Sequence, residues 1–306
     1  MNPQEEFSIY KTEWDHVLAV GVFDGVHLGH RHLISELGRH AAQAGCQSGV
    51  VTFHPHPQQV FFSGDTRTYL TTPEERVQLI SALGVNTVVT LTFSEDLAAM
   101  SAREFVEHLQ RYLRMRALVV GPDFALGRGR EGNVPFLQGL GVQMGFEVHV
   151  VPKVDIGGLP ISSTVIRRLL LAGDVAQAGK LLGRNFSVTG PVVWGARRGR
   201  TIGFPTANVD ADEWRLLPAF GVYASRAYVE GWAHKAVTNI GRRPTFDNGQ
   251  RSVEVHLLDF EGNLYGRKLT VELLARLRGE RRFANAEELR LQINKDIIRA
   301  RGLLGR

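Results

Sequence analysis

A single cysteine, Cys46, among 306 residues leaves no partner for an internal disulfide and too few thiolates for a cysteine-built zinc site. Long apolar runs are also missing: none approaches the roughly 20 residues that a bilayer-spanning helix needs. The first ten residues, Met1 to Tyr10, are polar and acidic. These features predict a cytoplasmic protein with no membrane attachment. Charge of one sign is scarce as well. Lysine and arginine total 36 against 31 aspartates and glutamates, a formal net charge of +5, which is a small excess for a polyanion-binding surface. With no long basic amphipathic helix and no zinc-finger spacing, nucleic acid is not expected as a partner. Internal repeats and low-complexity segments are absent too.

What is present points to small phosphorylated ligands. Of the 36 cations 30 are arginine, the side chain suited to bidentate phosphate contacts. Arg197, Arg198 and Arg200 sit among glycines in one segment, and Arg276, Arg278, Arg281 and Arg282 crowd another. A chain of this length suits two domains better than one core.

The hydrophobic pattern changes character part-way along. From Val17 to about Val151, β-branched runs alternate with helical segments, which predicts a parallel sheet covered on both faces. Strands are expected at Val17 to Phe23, Gly49 to Phe53, Thr87 to Phe93, Ala117 to Gly121 and Glu147 to Val151. Thr72 with Pro73, and the capping box Ser101 to Glu104 ahead of Phe105, Leu109 and Leu113, mark helix starts. Short helices at Thr164 to Leu171 and Val175 to Leu182 each stop at a glycine. Beyond Arg184 come short strands at Phe186 to Val193, Gly221 to Val229, Lys235 to Ile240, Ser252 to Asp259 and Lys268 to Leu277, the grammar of a small antiparallel barrel. A last helix should start at Asn285 and bury Leu289, Ile293 and Ile297. The expected class is therefore α/β followed by β: a doubly wound parallel-sheet domain over residues 1–184, then a barrel with a C-terminal helix over 185–306.

Two segments carry chemistry. Gly21-Val-Phe-Asp-Gly-Val-His-Leu-Gly-His30 joins a strand to a helix, where unpartnered N–H groups and the helix dipole favour a phosphate. His27 and His30, three apart, share one side of that helix and can donate to oxygens that gain charge as an α-phosphorus is attacked. The string resembles the HxGH signature of the nucleotidyltransferase superfamily. In the second half, Gly195-Ala-Arg-Arg-Gly-Arg-Thr-Ile-Gly-Phe-Pro-Thr-Ala-Asn208 spaces glycines among arginines, so its backbone can wrap phosphates. Gly195, Arg200 and Gly203 are its candidate phosphate contacts. Thr206 and Asn208, two apart, offer hard oxygens of the kind Mg2+ accepts. On an alternating strand Glu254 and His256 face away from Val253, Val255 and Leu257, which makes Glu254 a candidate base.

Taken together with Thr52-Phe-His-Pro-His-Pro57, Gly121-Pro-Asp-Phe-Ala-Leu-Gly127, Ile161-Ser-Ser-Thr-Val-Ile-Arg167, Gly221-Val-Tyr223 and Asn239-Ile-Gly241, these segments resemble the prokaryotic bifunctional riboflavin kinase/FAD synthetase family over nearly the whole chain. The resemblance implies a Rossmann-like nucleotidyltransferase domain and a kinase barrel. It implies two reactions that need Mg2+: ATP and riboflavin to FMN at the barrel, then ATP and FMN to FAD and pyrophosphate at the α/β domain. It assigns Thr206 and Asn208 to the metal, Glu254 to the ribityl hydroxyl, and His27 and His30 to the ATP phosphates. Gly21, Phe23, Asp24 and Gly29 belong to the same nucleotide site. Ser162, Ser163, Thr164 and Arg167 form a further phosphate-binding motif, and Asp123 lies near the metal and the flavin phosphate. Leu126 stands where phenylalanine is common. The competing expectation is that one module retains its activity while the other binds flavin or regulates.

Overall fold

The structure, a computed structural model, describes residues 2–61, 68–195, 199, 202–242 and 251–305. The chain divides into two compact units, Met1–Ile161 and Ser162–Arg306. Among the described residues no helix is long and apolar enough to cross a membrane.

In the first unit the order is α1 (Pro3–Ile9), β1 (His16–Val20), α2 (Leu28–Gln43), β2 (Gln47–His54), α3 (Pro57–Phe61), α4 (Pro73–Ser81), β3 (Thr87–Thr92), α5 (Glu95–Ala99), α6 (Ala102–Leu113), β4 (Met115–Val120), the two-residue strands β5 (Ala125–Leu126) and β6 (Gly132–Asn133), α7 (Val134–Met144), β7 (Glu147–Val150), and the two-residue strands β8 (Asp155–Ile156) and β9 (Leu159–Pro160). Five strands form one sheet in the order β3-β2-β1-β4-β7. Each pairing in it is parallel. Neighbouring residues feed opposite faces, as the period of two requires. Leu18, Val20, Leu118 and Val120 pack with Phe7 of α1, Phe105 and Leu109 of α6 and Leu137 of α7. Val17, Ala19, Ala117 and Val119 pack with Ile34 and Leu37 of α2 and Ile80 of α4. Each valine, leucine, isoleucine and phenylalanine among them contributes about 1.5–3 kcal/mol by leaving water. The expected capping box of Ser101 with Glu104 forms, and the expected Thr72 cap forms a box as well, with Glu75.

The strand order reverses between β1 and β4, so the chain leaves these neighbours in opposite directions and opens a crevice beyond their carboxyl ends. The first strand ends earlier than its apolar run. It stops at Val20, because Phe23 and Val26 take φ of 52° and 39°, a left-handed backbone incompatible with a strand.

The second unit comprises α8 (Ser163–Ala172), α9 (Val175–Leu182), β10 (Phe186–Val193), β11 (Ala207–Val209), β12 (Gly221–Val229), β13 (Trp232–Arg242), β14 (Arg251–Leu257), β15 (Lys268–Arg278) and a C-terminal helix, Ala286–Leu303. Six strands close a barrel in the order β10-β11-β14-β13-β12-β15. The short strand β11 carries no periodic signal of its own, yet it pairs antiparallel with both β10 and β14. Compactness places the division ahead of residue 184, because α9 packs on β15 and β10. The last helix starts at Asn285 as expected, with the Asn285 side chain accepting the Glu288 N–H. Its packing differs from expectation. Leu289, Ile293 and Ile297 are half-buried, and the buried residues are Asp296 and Ala300. Asp296 is tied to Arg278 at 2.9 Å, so a charge pair fixes a helix that the apolar stripe alone holds weakly.

Candidate functional site

At the carboxyl ends of β1, β4 and β7 lies a cavity of about 270 Å³, lined by Gly21, Phe23, His27, Gly29 and His30 on one side and by Gly121, Asp123, Phe124, Pro152 and Lys153 on the other. His27 is the N-cap of α2, and its Nδ1 accepts the His30 N–H at 3.2 Å. An imidazole nitrogen that accepts carries no hydrogen, which puts the hydrogen on Nε2. The rings of His27 and His30 stack with centroids 3.6 Å apart, and Phe23 meets His30 edge-on at 5.1 Å. Gly29 makes this possible: a Cβ there would stand 3.2 Å from the His27 ring. Burial, followed by the nearby His27 and Arg76, holds the His30 imidazole well below the usual histidine range. His30 Nδ1 is buried and has no hydrogen-bond partner among the described residues. Such a group is costly unless a ligand completes it.

Beside this cavity lies a second one, of about 650 Å³. It shares Gly21, Asp123 and Phe124 and is walled by Phe53, Phe93, Phe105 and Leu126. One wall of the shared boundary is thus polar and the other is an aromatic slot, the form of a site that takes a charged and a flat apolar substrate side by side.

Asp24 is a correction. Its side chain is 2% exposed and lines neither cavity. The carboxylate accepts the Leu70 and Thr71 N–H groups at 3.0 and 3.1 Å. It lies 4.0 Å from the Arg76 guanidinium, which donates to Phe53 O at 2.9 Å. Asp24 therefore holds the loop from inside and does not present itself to a ligand. Asp123 is exposed at the cavity mouth and forms an ion pair with Lys153. In the second unit Ser162 caps α8 by accepting the Val165 N–H at 3.3 Å. Ser163 and Arg167 are half-buried and Thr164 is exposed. Four of the helix's first N–H groups lack intrahelical partners by construction.

The barrel brings the kinase candidates together. Asn208 on β11 stands opposite Glu254 on β14 in the antiparallel register. Glu254 in turn stands opposite Asn239 on β13. Directly opposed residues share a face, and these three are half-buried while Ala207, Val209, Val253 and Val255 are buried. Thr206, just ahead of β11, is half-buried like Asn208. A Cβ on Gly195 would come within 2.2 Å of Asn208 Nδ2, and one on Gly199 within 3.5 Å of Thr206 Oγ1. Gly203 takes φ of 91°, turning the segment back toward β11. His256 holds Pro205 O at 2.7 Å. Arg197, Arg198 and Arg200 lie outside the described residues.

The FAD synthetase family model matches residues 10–165 and the riboflavin kinase family model matches residues 182–304. A bifunctional riboflavin kinase/FMN adenylyltransferase of Pseudomonas fluorescens is 41% identical over 94% of this chain and 92% of its own length. The chain belongs to the bifunctional riboflavin kinase/FMN adenylyltransferase family. The Escherichia coli K12 member is 40% identical over 94% of this chain and 93% of its own, and the Bacillus subtilis member 38% over 92% and 90%. A crystal structure named as a macrolide-efflux protein from Streptococcus pneumoniae is also similar, with a TM-score of 0.89 and 31% identity over 98% of this chain and 97% of that one. That name describes the other protein.

The fold also brings three residues that carry no motif signal of their own to these neighbourhoods. Asn239, within Asn239-Ile-Gly241, becomes a candidate through its register with Glu254. Arg76 has no motif around it and is fully buried beneath the Gly21 to His30 loop. Lys153 reaches the cavity from the loop after β7. Only spatial neighbourhood could have found these.

Proposed function

We propose that the chain makes FMN and then FAD, phosphorylating riboflavin with ATP in the barrel module and adenylylating FMN with ATP in the α/β module, with the functional boundary near residue 184. The observation that carries the reading is that each half holds a polar constellation of its own: the stacked histidines at the sheet's switch point, and the Asn208 and Glu254 register in the barrel.

In the adenylyltransferase module no protein nucleophile is required, because the FMN phosphate attacks the α-phosphorus and pyrophosphate leaves. His27, with its hydrogen on Nε2, and His30 donate to phosphate oxygens, and the start of α2 adds its dipole. The aromatic slot beside them accepts the flavin ring. Ser162, Ser163, Thr164 and Arg167 are assigned to phosphate binding from the family motif and from their place at a helix start.

In the kinase module Glu254 accepts the proton of the ribityl hydroxyl as it attacks the γ-phosphorus of ATP. Thr206 and Asn208 would hold Mg2+: both are hard oxygen donors, and the bare Cα of Gly195 leaves Asn208 its space. Held there, magnesium would supply positive charge to balance the phosphates. Gly195, Arg200 and Gly203 belong to the loop that wraps the phosphates. The reading carries with it a cytoplasmic enzyme of small molecules, without nucleic acid or membrane partners.

The test is a time course with riboflavin, ATP and Mg2+ in which FMN and FAD are resolved. FMN is expected first and FAD after it. A protein that stops at FMN, or that makes FAD only from supplied FMN, would establish the single-activity alternative.

A further inference from the structure

The histidine cavity has a charge problem. Among the described residues that line it, Lys153 is the one ammonium or guanidinium, and Asp123 is a carboxylate. The two imidazoles supply hydrogen-bond donors, but the half-buried His30, held well below the usual histidine range by desolvation, supplies no full charge. A nucleoside triphosphate brings several negative charges to this space, and Asp123 alone would repel them.

We propose that Lys153 is a further substrate-binding residue of this cavity, contacting the polyphosphate of ATP. The inference rests on the adenylyltransferase reading given above. Its geometry comes from the sheet. The loop after β7 carries Lys153 to the same carboxyl-end crevice that the loop after β4 reaches with Asp123, and the two side chains meet there as an ion pair. Both are largely exposed, 67% for Lys153 and 72% for Asp123. An exposed, solvent-screened pair of this kind contributes little. Lys153 is therefore positioned by Asp123 and not captured by it, and exchanging or sharing the carboxylate with a phosphate oxygen costs little. A lysine suits this task, because its ammonium is a point charge on a flexible stem that can follow the phosphate as pyrophosphate departs. Lys153 lines the histidine cavity and is absent from the aromatic slot, which assigns it to the nucleotide and not to the flavin ring.

The experiment compares Lys153→Met, which keeps the aliphatic stem, with Lys153→Arg, which keeps the charge. Initial rates of FAD formation are measured against ATP at saturating FMN, and against FMN at saturating ATP. Lys153→Met is expected to raise KM for ATP about tenfold, as loss of one charge-assisted contact implies, with KM for FMN unchanged. Lys153→Arg should stay within about threefold of wild type on the same scale. FMN formation from riboflavin in the same preparations should be unaltered, which reads an intact fold. A KM for ATP unmoved by Lys153→Met would overturn the proposal. A rise confined to KM for FMN would transfer the ammonium to the flavin phosphate and overturn the nucleotide assignment. Failure of the wild-type protein to make FAD would count against the adenylyltransferase reading itself. In that case a flavin-free calorimetric titration with ATP still decides: weaker binding in Lys153→Met supports the contact, and superimposable isotherms reject it.

Discussion

The His27 imidazole caps the helix that carries His30: its Nδ1 accepts the His30 N–H at 3.2 Å while the two rings stack 3.6 Å apart. One side chain therefore closes the backbone, fixes its own tautomer and supports its neighbour's ring. This coupling predicts that stability and catalysis separate differently in different variants. His27→Ala should lose FAD formation and about 1 kcal/mol of stability from the missing cap. His27→Asn, a good cap without an imidazole, should recover the stability and not the activity. Thermal unfolding and FMN-to-FAD rates check this, and recovery of both by asparagine would show that the imidazole acts only as a cap.

His30 predicts a pH dependence of stability. Its folded pKa lies well below the ordinary 6.5, chiefly through burial. Below 6.5 the unfolded chain takes up a proton that the folded state refuses, so the stabilising difference is complete above that pH and is lost as pH falls toward the folded value. Melting temperature measured between pH 8 and 5, a window set by the cited 6.5, should fall, and it should fall less in His30→Asn. Parallel curves for the two proteins would contradict the burial of a neutral imidazole.

Glu254→Gln should cut FMN formation from riboflavin by roughly 10²–10⁴-fold, the usual contribution of a general base. FAD formation from supplied FMN should persist in the same preparation. Product analysis with each substrate separately distinguishes this from general loss of fold.

Gly195→Ala tests the metal site through packing. The added methyl would stand 2.2 Å from Asn208 Nδ2, so the amide must swing away. Kinase turnover should fall about tenfold or more, with a raised Mg2+ requirement, if a hard-oxygen ligand is displaced. Adenylylation measured alongside should not change. A normal magnesium dependence would remove Asn208 from the ligand set.

Asp24→Ala should destabilise the α/β unit by about 3–5 kcal/mol, because it strands the buried Arg76 charge and two backbone donors. Asp24→Asn should cost less. Denaturant unfolding gives the ranking, and equal stabilities would show that the Asp24 to Arg76 network is not a structural tie.

The strands at Glu147 and Phe186, the helix caps at Thr72 and Ser101, and the alternation around Glu254 were all readable along the chain. Local periodicity and capping chemistry involve partners only a few residues away. The end of β1 was not, since an apolar run continues through Phe23 and only the left-handed turn beneath His30 stops the strand. The inward role of Asp24 is hidden from the sequence for a related reason. A carboxylate inside a phosphate-binding motif looks like a ligand group until Leu70 and Thr71, brought from another loop, are found on it.

The linear order of residues was enough to set two modules, the histidine pair and the Thr206 to Asn208 segment, because those signals are local in spacing and in chemistry. The fold alone decided that Asn239 joins Glu254, that Arg76 lies under the Gly21 to His30 loop and that Lys153 enters the cavity. Strand register and crossover connections create these neighbours between residues far apart in the chain, and no spacing along it encodes the meeting.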